Sequence, residues 1–238
     1  MKVRLRTVYR VGKLTLQALG RCFSAICRPL KGIWKVKYEP TVKIQDFVVY
    51  KDFLNRTQQS EIVEALRGVA QTAPFVQPVT PSGKKMSVKL TAAGQFGWIT
   101  DAQGYRYSKT HPNGGAWPAI PDPILDIWTA VSGVLRAPEC CLINYYAQAA
   151  KMGLHQDKDE ADFDMPVVSV SLGDEALFRM GGQERSDPTQ SIWLGSGDVV
   201  VMGGTARRAY HGIDRIKFGS SELLPKGGRI NLTMRVVT

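Results

Sequence analysis

A chain of 238 residues that is 44% hydrophobic and 22% charged has a globular composition, long enough for one sizeable core or a core with a smaller lid. The formal net charge is +10, but Met1 to Tyr38 hold ten Lys or Arg and no acid, which leaves 21 bases against 21 acids in the rest. The body is therefore neutral and the arm basic, so any attraction to a nucleic acid or an anionic membrane surface belongs first to the arm.

Within the arm, Leu16, Leu19, Phe23, Ile26, Leu30 and Ile33 recur at three- and four-residue spacing, the pattern of a short amphipathic helix interrupted near Pro29. Nothing there spans a bilayer. Three readings compete: an arm that binds DNA or a membrane surface, an Arg-rich acid-poor organelle presequence, and an upstream extension of the reading frame with little function. Four cysteines, Cys22, Cys27, Cys140 and Cys141, match neither a disulfide framework nor the paired spacing of a zinc site, which favours a reducing compartment.

From Thr41 an ordinary domain begins. Phe47 to Tyr50 reads as a strand, and Thr57 to Ala70 as a helix capped by Asn55 or Thr57, with Ile62, Leu66 and Val69 inward. A Pro/Gly turn then carries Lys84 and Lys85 between two extended runs, a solvated hairpin or, in a nucleic-acid enzyme, a phosphate contact. Trp98, Tyr105 and Tyr107 lie near a Gly turn, where aromatic residues more often pack a hairpin than stack on bases. His111, in the Pro-rich connection that follows, reads as a surface residue. Asp122 to Leu135 reads as a helix with Ile124, Leu125, Trp128 and Val131 along one side. Short strands then succeed one another, LINYYA, MGLHQD, PVVSVSLG, ALFRMG, SIWLGSGDVVVMG and RINLTMRVV, separated by Gly, Pro and Asp turns. That succession predicts a sandwich or barrel, here a jelly roll.

The chemistry gathers between Asn144 and Asp159. If the strand reaching Leu154 runs through His155-Gln156-Asp157, alternation puts His155 and Asp157 on one face and Gln156 on the other. One imidazole and one carboxylate are two-thirds of a 2-His-1-carboxylate site for Fe(II). His211, one of only three histidines, is the candidate third ligand. Taken alone, the triplet is more often a surface histidine beside an acid. The last strand changes that balance, because alternation sets Arg229, Asn231, Thr233 and Arg235 on one face and Ile230, Leu232, Met234 and Val236 on a core-facing one. The arginine face is either an ordinary polar surface or the wall of an anion pocket, and guanidinium forks suit a dicarboxylate such as 2-oxoglutarate.

Asn144-Tyr145-Tyr146, His155-x-Asp157, the distal His211 and Arg229-x-Asn231-x-Thr233-x-Arg235 resemble, in order and spacing, the AlkB family of Fe(II)/2-oxoglutarate-dependent dioxygenases. The likeness is greatest to the bacterial nucleic-acid repair dealkylases, through LHQDKDE, VVSVSLG and GDVVVMGG, and runs from near Phe75 to the C-terminus, about two-thirds of the chain. It implies a mainly β fold with flanking helices, a double-stranded β-helix core and an N-terminal nucleotide-recognition lid. The expected division is an arm over 1–40 and a dioxygenase domain over 41–238, with the lid-bearing part at 41–135 and the iron and 2-oxoglutarate core at 136–238.

For the site, the resemblance implies Fe(II) on His155, Asp157 and His211. It places 2-oxoglutarate against Asn144, Tyr146, Arg229 and Asn231, with Arg235 near the metal-bound carboxylate, and substrate against Met86, Trp98, Tyr105, Asp159 and Arg185. With O2 as oxidant, the implied reaction hydroxylates the N-methyl carbon of bases such as 1-methyladenine or 3-methylcytosine in DNA or RNA, releasing succinate, CO2 and formaldehyde. A monomer without an obligate protein partner or a transmembrane segment is expected, cytoplasmic, or mitochondrial if the arm is a presequence. Two other classes stay open: a hydroxylase of protein or small molecules on the same iron core, and a non-catalytic jelly-roll binding module. The Trp98, Tyr105 and Lys84-Lys85 lid favours nucleic acid, and a complete ligand set disfavours the binding module.

Overall fold

Short runs rich in Val, Ile and Leu, bounded by glycine and aspartate, cannot bury a helical face and instead pair as strands. The computed structural model describes residues 38–238, which form one compact unit. The periodic stretch Leu16 to Ile33, Cys22 and Cys27 lie outside the described residues. In chain order the elements are β1 (Val42–Ile44), β2 (Phe47–Tyr50), α1 (Arg56–Thr72), β3 (Val88–Gly94), β4 (Gly97–Asp101), β5 (Gly104–Ser108), α2 (Asp122–Val131), β6 (Cys140–Tyr146), β7 (Met152–His155), β8 (Val167–Gly173), β9 (Glu175–Met180), β10 (Gln190–Leu194), β11 (Val199–Met202), a 3-10 turn (Gly204–Arg208), β12 (His211–Lys217) and β13 (Arg229–Arg235).

The fold is mainly β and of the jelly-roll type. A seven-stranded sheet runs β1-β2-β11-β8-β13-β6-β3, and a four-stranded sheet runs β10-β9-β12-β7. A separate β4-β5 hairpin completes the strands, and all these pairings are antiparallel. Strands β1, β2 and β3 join the large sheet, so that sheet crosses residue 135, the expected internal boundary. Helix α1 starts with a capping box, in which Asn55 accepts from the Gln58 amide and the Gln58 side chain accepts from the Asn55 amide. Its buried residues are the expected Ile62, Leu66 and Val69 together with Gln59 and Val63. No helix among the described residues is long and apolar enough to cross a membrane.

Several expectations are corrected by the structure. The run SIWLGSGDVVVMG is two strands in different sheets: Gly197, at φ +95°, turns the chain between β10 and β11, and Asp198 secures the turn by accepting from the Gly195 amide. Helix α2 stops at Val131, before Gly133 at φ +74°, and leaves Leu135 fully exposed. Ile127, not Leu125, completes its buried face. His111 is buried rather than on the surface. Its Nε2 lies 2.9 Å from the Pro74 carbonyl, its Nδ1 2.6 Å from Asn113 Oδ1, and its ring meets Trp117 edge-on, so it clamps the Pro-rich connection from inside.

Candidate metal centre and the cavity above it

The metal candidates come together through strand register. His155 ends β7 and His211 starts β12, and the two are direct cross-strand partners, which sets their ring centroids 4.6 Å apart. Strand β7 does not run through the triplet, as alternation had required, but stops at His155. Asp157 comes back from the following loop to the same point because Arg207 Nη1 donates to its main-chain carbonyl at 2.8 Å and Arg235 Nη2 to its Oδ2 at 2.8 Å. Gln156 turns away, donating to the Arg208 carbonyl at 2.6 Å. The ligand atoms of His155, Asp157 and His211 lie within 4.8 Å of one another.

The ring nitrogens are already sorted for metal binding. Nδ1 of His155 faces the Gly153 carbonyl at 2.9 Å and Nδ1 of His211 the Ala209 carbonyl at 3.0 Å. A carbonyl only accepts, so each Nδ1 carries hydrogen and each Nε2 points its lone pair towards Asp157, from which both stand 3.8 Å. Burial, reinforced by the neighbouring His155, pushes His211 down to about 4, so its imidazole is neutral in neutral solution. Phe47 and Phe178 wall it in. Burial alone would raise Asp157, but Arg235 and the two imidazoles outweigh it and hold the carboxyl well below the usual carboxylate range. Two imidazole nitrogens and one carboxylate suit Fe(II).

Next to this cluster, β13 and its neighbours line the cavity in cross-strand rows. Arg229 pairs with Tyr146 and Asn231 with Asn144 on β6, while Ser171 of β8 faces Asn231. Both faces of β13 are buried, which removes the polar-surface reading of its arginines. Arg229 is 1% exposed, and only its Nη2 is bonded within the protein, to Ser171 Oγ at 3.0 Å. Its Nε and Nη1 have no partner, nor has Asn144 Oδ1. Burial lowers the Arg229 pKa against the pull of Tyr146, whose ring lies 5.2 Å from the guanidinium carbon. A buried guanidinium with two idle nitrogens is costly unless an anion completes it, so the arrangement fits a carboxylate ligand. Asn231, by contrast, spends its amide within the protein, on Ser169 at 2.8 Å and the Val170 carbonyl at 3.1 Å. Gly228, at φ +90°, makes the approach to β13 possible, since a Cβ there would meet the Tyr146 carbonyl at 2.7 Å.

A cavity of about 120 Å³ is lined by the metal cluster, Arg229 and Arg235 together with Met86, Trp98 and Asp159. The Trp98 indole donates to Asp159 Oδ2 at 2.8 Å and stacks on Tyr105 at 5.4 Å and 16°. Tyr105, half exposed, is thereby outside the lining, behind Trp98. Arg185 is outside as well, donating to the Leu154 carbonyl at 2.9 Å. Tyr107 and Glu160, not singled out for the site from sequence, line the cavity, and Arg207, outside the lining, joins them in a network around Asp157. Ser171, outside the lining, supports Arg229 from behind, and the alternating serines of VVSVSLG, on the same face as the arginine row, were a usable signal for it.

A family profile described as the 2OG-Fe(II) oxygenase superfamily matches residues 46–235, further towards the N-terminus than the likeness seen from Phe75. An alpha-ketoglutarate-dependent dioxygenase AlkB homolog of Caulobacter vibrioides is 50% identical over 198 residues, covering 83% of this chain and 90% of that protein. The alpha-ketoglutarate-dependent dioxygenase AlkB of Escherichia coli is 45% identical over 180 residues, 74% of this chain and 83% of that one. The solved structure of OsALKBH1 superposes with a TM-score of 0.70 at 30% identity, over 83% of this chain and all of the other. With the match running through both sheets and every element that carries the cavity, the chain belongs to the 2OG-Fe(II) oxygenase superfamily and, within it, to the AlkB family of dioxygenases.

Proposed function

We propose that this dioxygenase restores N-alkylated bases such as 1-methyladenine and 3-methylcytosine in DNA or RNA. The observation that carries this reading is that Trp98 and Asp159, joined by a hydrogen bond, line the same cavity as the His155, Asp157 and His211 cluster. In this reading those three residues hold Fe(II). Arg229 receives the distal carboxylate of 2-oxoglutarate, with Tyr146, Asn144 and Asn231 beside it, and Arg235 orients Asp157. Bound Fe(II), with 2-oxoglutarate and O2, supplies the power to hydroxylate an N-methyl carbon, with succinate and CO2 as co-products. The hydroxylated carbon leaves as formaldehyde.

On the substrate side, a base that has left its stack lies against Trp98, and Asp159 accepts from its exocyclic amine or balances the positive charge that N1 or N3 methylation creates. Met86 adds an apolar contact. Tyr105 acts through Trp98, and Arg185 meets the strand outside the cavity. Proteins named DNA N(6)-methyladenine demethylase and tRNA demethylase among the more distant relatives support a nucleic-acid substrate. Lys84 and Lys85, exposed on the turn beside β3, suit phosphate contacts that set register. The free, buried Cys140 and Cys141 suit a reducing compartment such as the cytoplasm. We read the enzyme as a monomer with a basic N-terminal arm that adds affinity for nucleic acid.

The test is the intact mass of single-stranded oligonucleotides carrying 1-methyladenine, 3-methylcytosine or no methyl group, incubated with enzyme, Fe(II), 2-oxoglutarate and air. Loss of one methylene from the methylated strands alone is the expected result. Unchanged masses together with 2-oxoglutarate-dependent hydroxylation of a peptide or metabolite would replace this reading with that of a protein or small-molecule hydroxylase.

A further inference from the structure

Glu160 sits three residues beyond Asp157 and is not one of the grouped metal candidates, yet its side chain is 2% exposed and both its oxygens are engaged. Oε2 accepts from Arg207 Nη2 at 2.9 Å. Oε1 accepts from the Tyr107 hydroxyl and lies 3.3 Å from Arg235 Nε. These are the same two arginines that touch Asp157, Arg207 at its carbonyl and Arg235 at its carboxylate. Two carboxylates and two guanidinium groups, all buried, thus share one small volume.

Such a cluster is a costly way to gain stability, because removing four charges from water offsets most of their attraction. Geometry is the better reason for it. A guanidinium that meets a single carboxylate tends to close on both oxygens as a fork. Here Arg235 gives Asp157 only Nη2, at Oδ2, while its Nε, which makes no hydrogen bond, lies within ion-pair distance of Glu160, so Asp157 Oδ1, 3.8 Å from His155 Nε2, is left without a competing cation. The Tyr107 hydroxyl holds Glu160 from the other side, and Tyr107 belongs to β5 of the hairpin that carries Trp98.

We propose that Glu160 is the positioning residue for the Asp157 carboxylate, dividing Arg235 between two acids so that one Asp157 oxygen stays open for metal, and that Tyr107 ties the β4-β5 hairpin to that arrangement. The inference rests on His155, Asp157 and His211 being the iron ligands. Linkage then requires reciprocity: if the hairpin supports the metal site, a bound metal must steady the hairpin.

The test uses full-length apoprotein and Mn(II) as probe, with affinity read by electron paramagnetic resonance and hairpin order by amide hydrogen exchange over residues 97–108. His155→Ala is the control for the ligand set, and retained Mn(II) affinity there would overturn the metal reading and this proposal with it. Glu160→Gln, folded by circular dichroism, is expected to bind Mn(II) about 10- to 100-fold more weakly, the usual cost of losing a partner of a metal ligand. Glu160→Asp, which keeps the charge but draws the carboxylate back by one methylene, carries the same expectation if the glutamine variant does not fold. In wild type, Mn(II) is expected to slow exchange in the hairpin at least about fivefold. Tyr107→Phe is expected to abolish that response, whereas a merely structural hydroxyl would raise exchange equally with and without metal. Wild-type Mn(II) affinity in a folded Glu160 variant would overturn the positioning role, and a wild-type metal response in Tyr107→Phe would overturn the tie to the hairpin.

Discussion

Arg229 is the residue at which burial, charge and missing partners coincide, so its replacement is informative. Arg229→Ala removes a charge-assisted contact of about 1.5–3 kcal/mol, which predicts a 2-oxoglutarate requirement raised roughly 10- to 150-fold with little change in that for oligonucleotide. Steady-state titration of each substrate checks this, and an unchanged 2-oxoglutarate requirement would make Arg229 a structural residue. Residues of this kind were legible in the sequence because alternation along one strand is a local property: Arg229, Asn231, Thr233 and Arg235 share a face whatever surrounds them. Glu160 and Arg207 were not. Nothing in DKDE or TARR tells a solvated charge from a buried one, since their pairing joins residues 47 positions apart. His111 misled for the same reason, its partners being Trp117 and the carbonyl of Pro74.

Among the elements, β13 is held at its far end by Glu139, which precedes β6. The Glu139 carboxylate accepts from the Val237 and Thr238 amides at 2.8 and 2.9 Å and from Arg136 at 2.9 Å. Burial raises its pKa, but these hydrogen bonds outweigh that effect and bring it to about 2, from an ordinary value of 4.5. A depressed carboxyl stabilises fully above its unfolded pKa and loses that contribution as pH falls through the folded one. Glu139→Gln is therefore expected to lower stability by about 1–2 kcal/mol at pH 7, with the gap to wild type closing as pH falls from 4.5 towards 2. Urea unfolding at several pH values reads the gap directly, and a constant gap would mean that shape rather than charge matters at this site. Strand existence was readable from composition, whereas strand ends were not. β7 stops at His155 and β10 parts from β11 because tertiary hydrogen bonds, from Arg235 to Asp157 and from the Asp52 amide to Asp198, capture the chain there.

For the whole molecule, the division of charge between a basic arm and a body of 21 bases and 21 acids makes a prediction independent of the iron site. Removal of residues 1–37 is expected to weaken oligonucleotide binding at low salt. It should also flatten the slope of log K against log salt by about 0.9 for each duplex phosphate that the arm neutralises, so that the two proteins converge as salt rises. Identical slopes would assign the arm another role. The jelly roll and its open cavity were foreseeable from the succession of short strands and from the family likeness, but the pairing of His155 with His211 needed the register of β7 on β12. The central claim is that this register, Asp157 and Arg229 together make one oxidative demethylation site. It is tested most directly by measuring succinate and formaldehyde in the same reaction on a 1-methyladenine oligonucleotide. Near-equal amounts of the two, both abolished when Fe(II), 2-oxoglutarate or O2 is left out, are predicted. Succinate without formaldehyde, or base recovery without 2-oxoglutarate, would contradict the account.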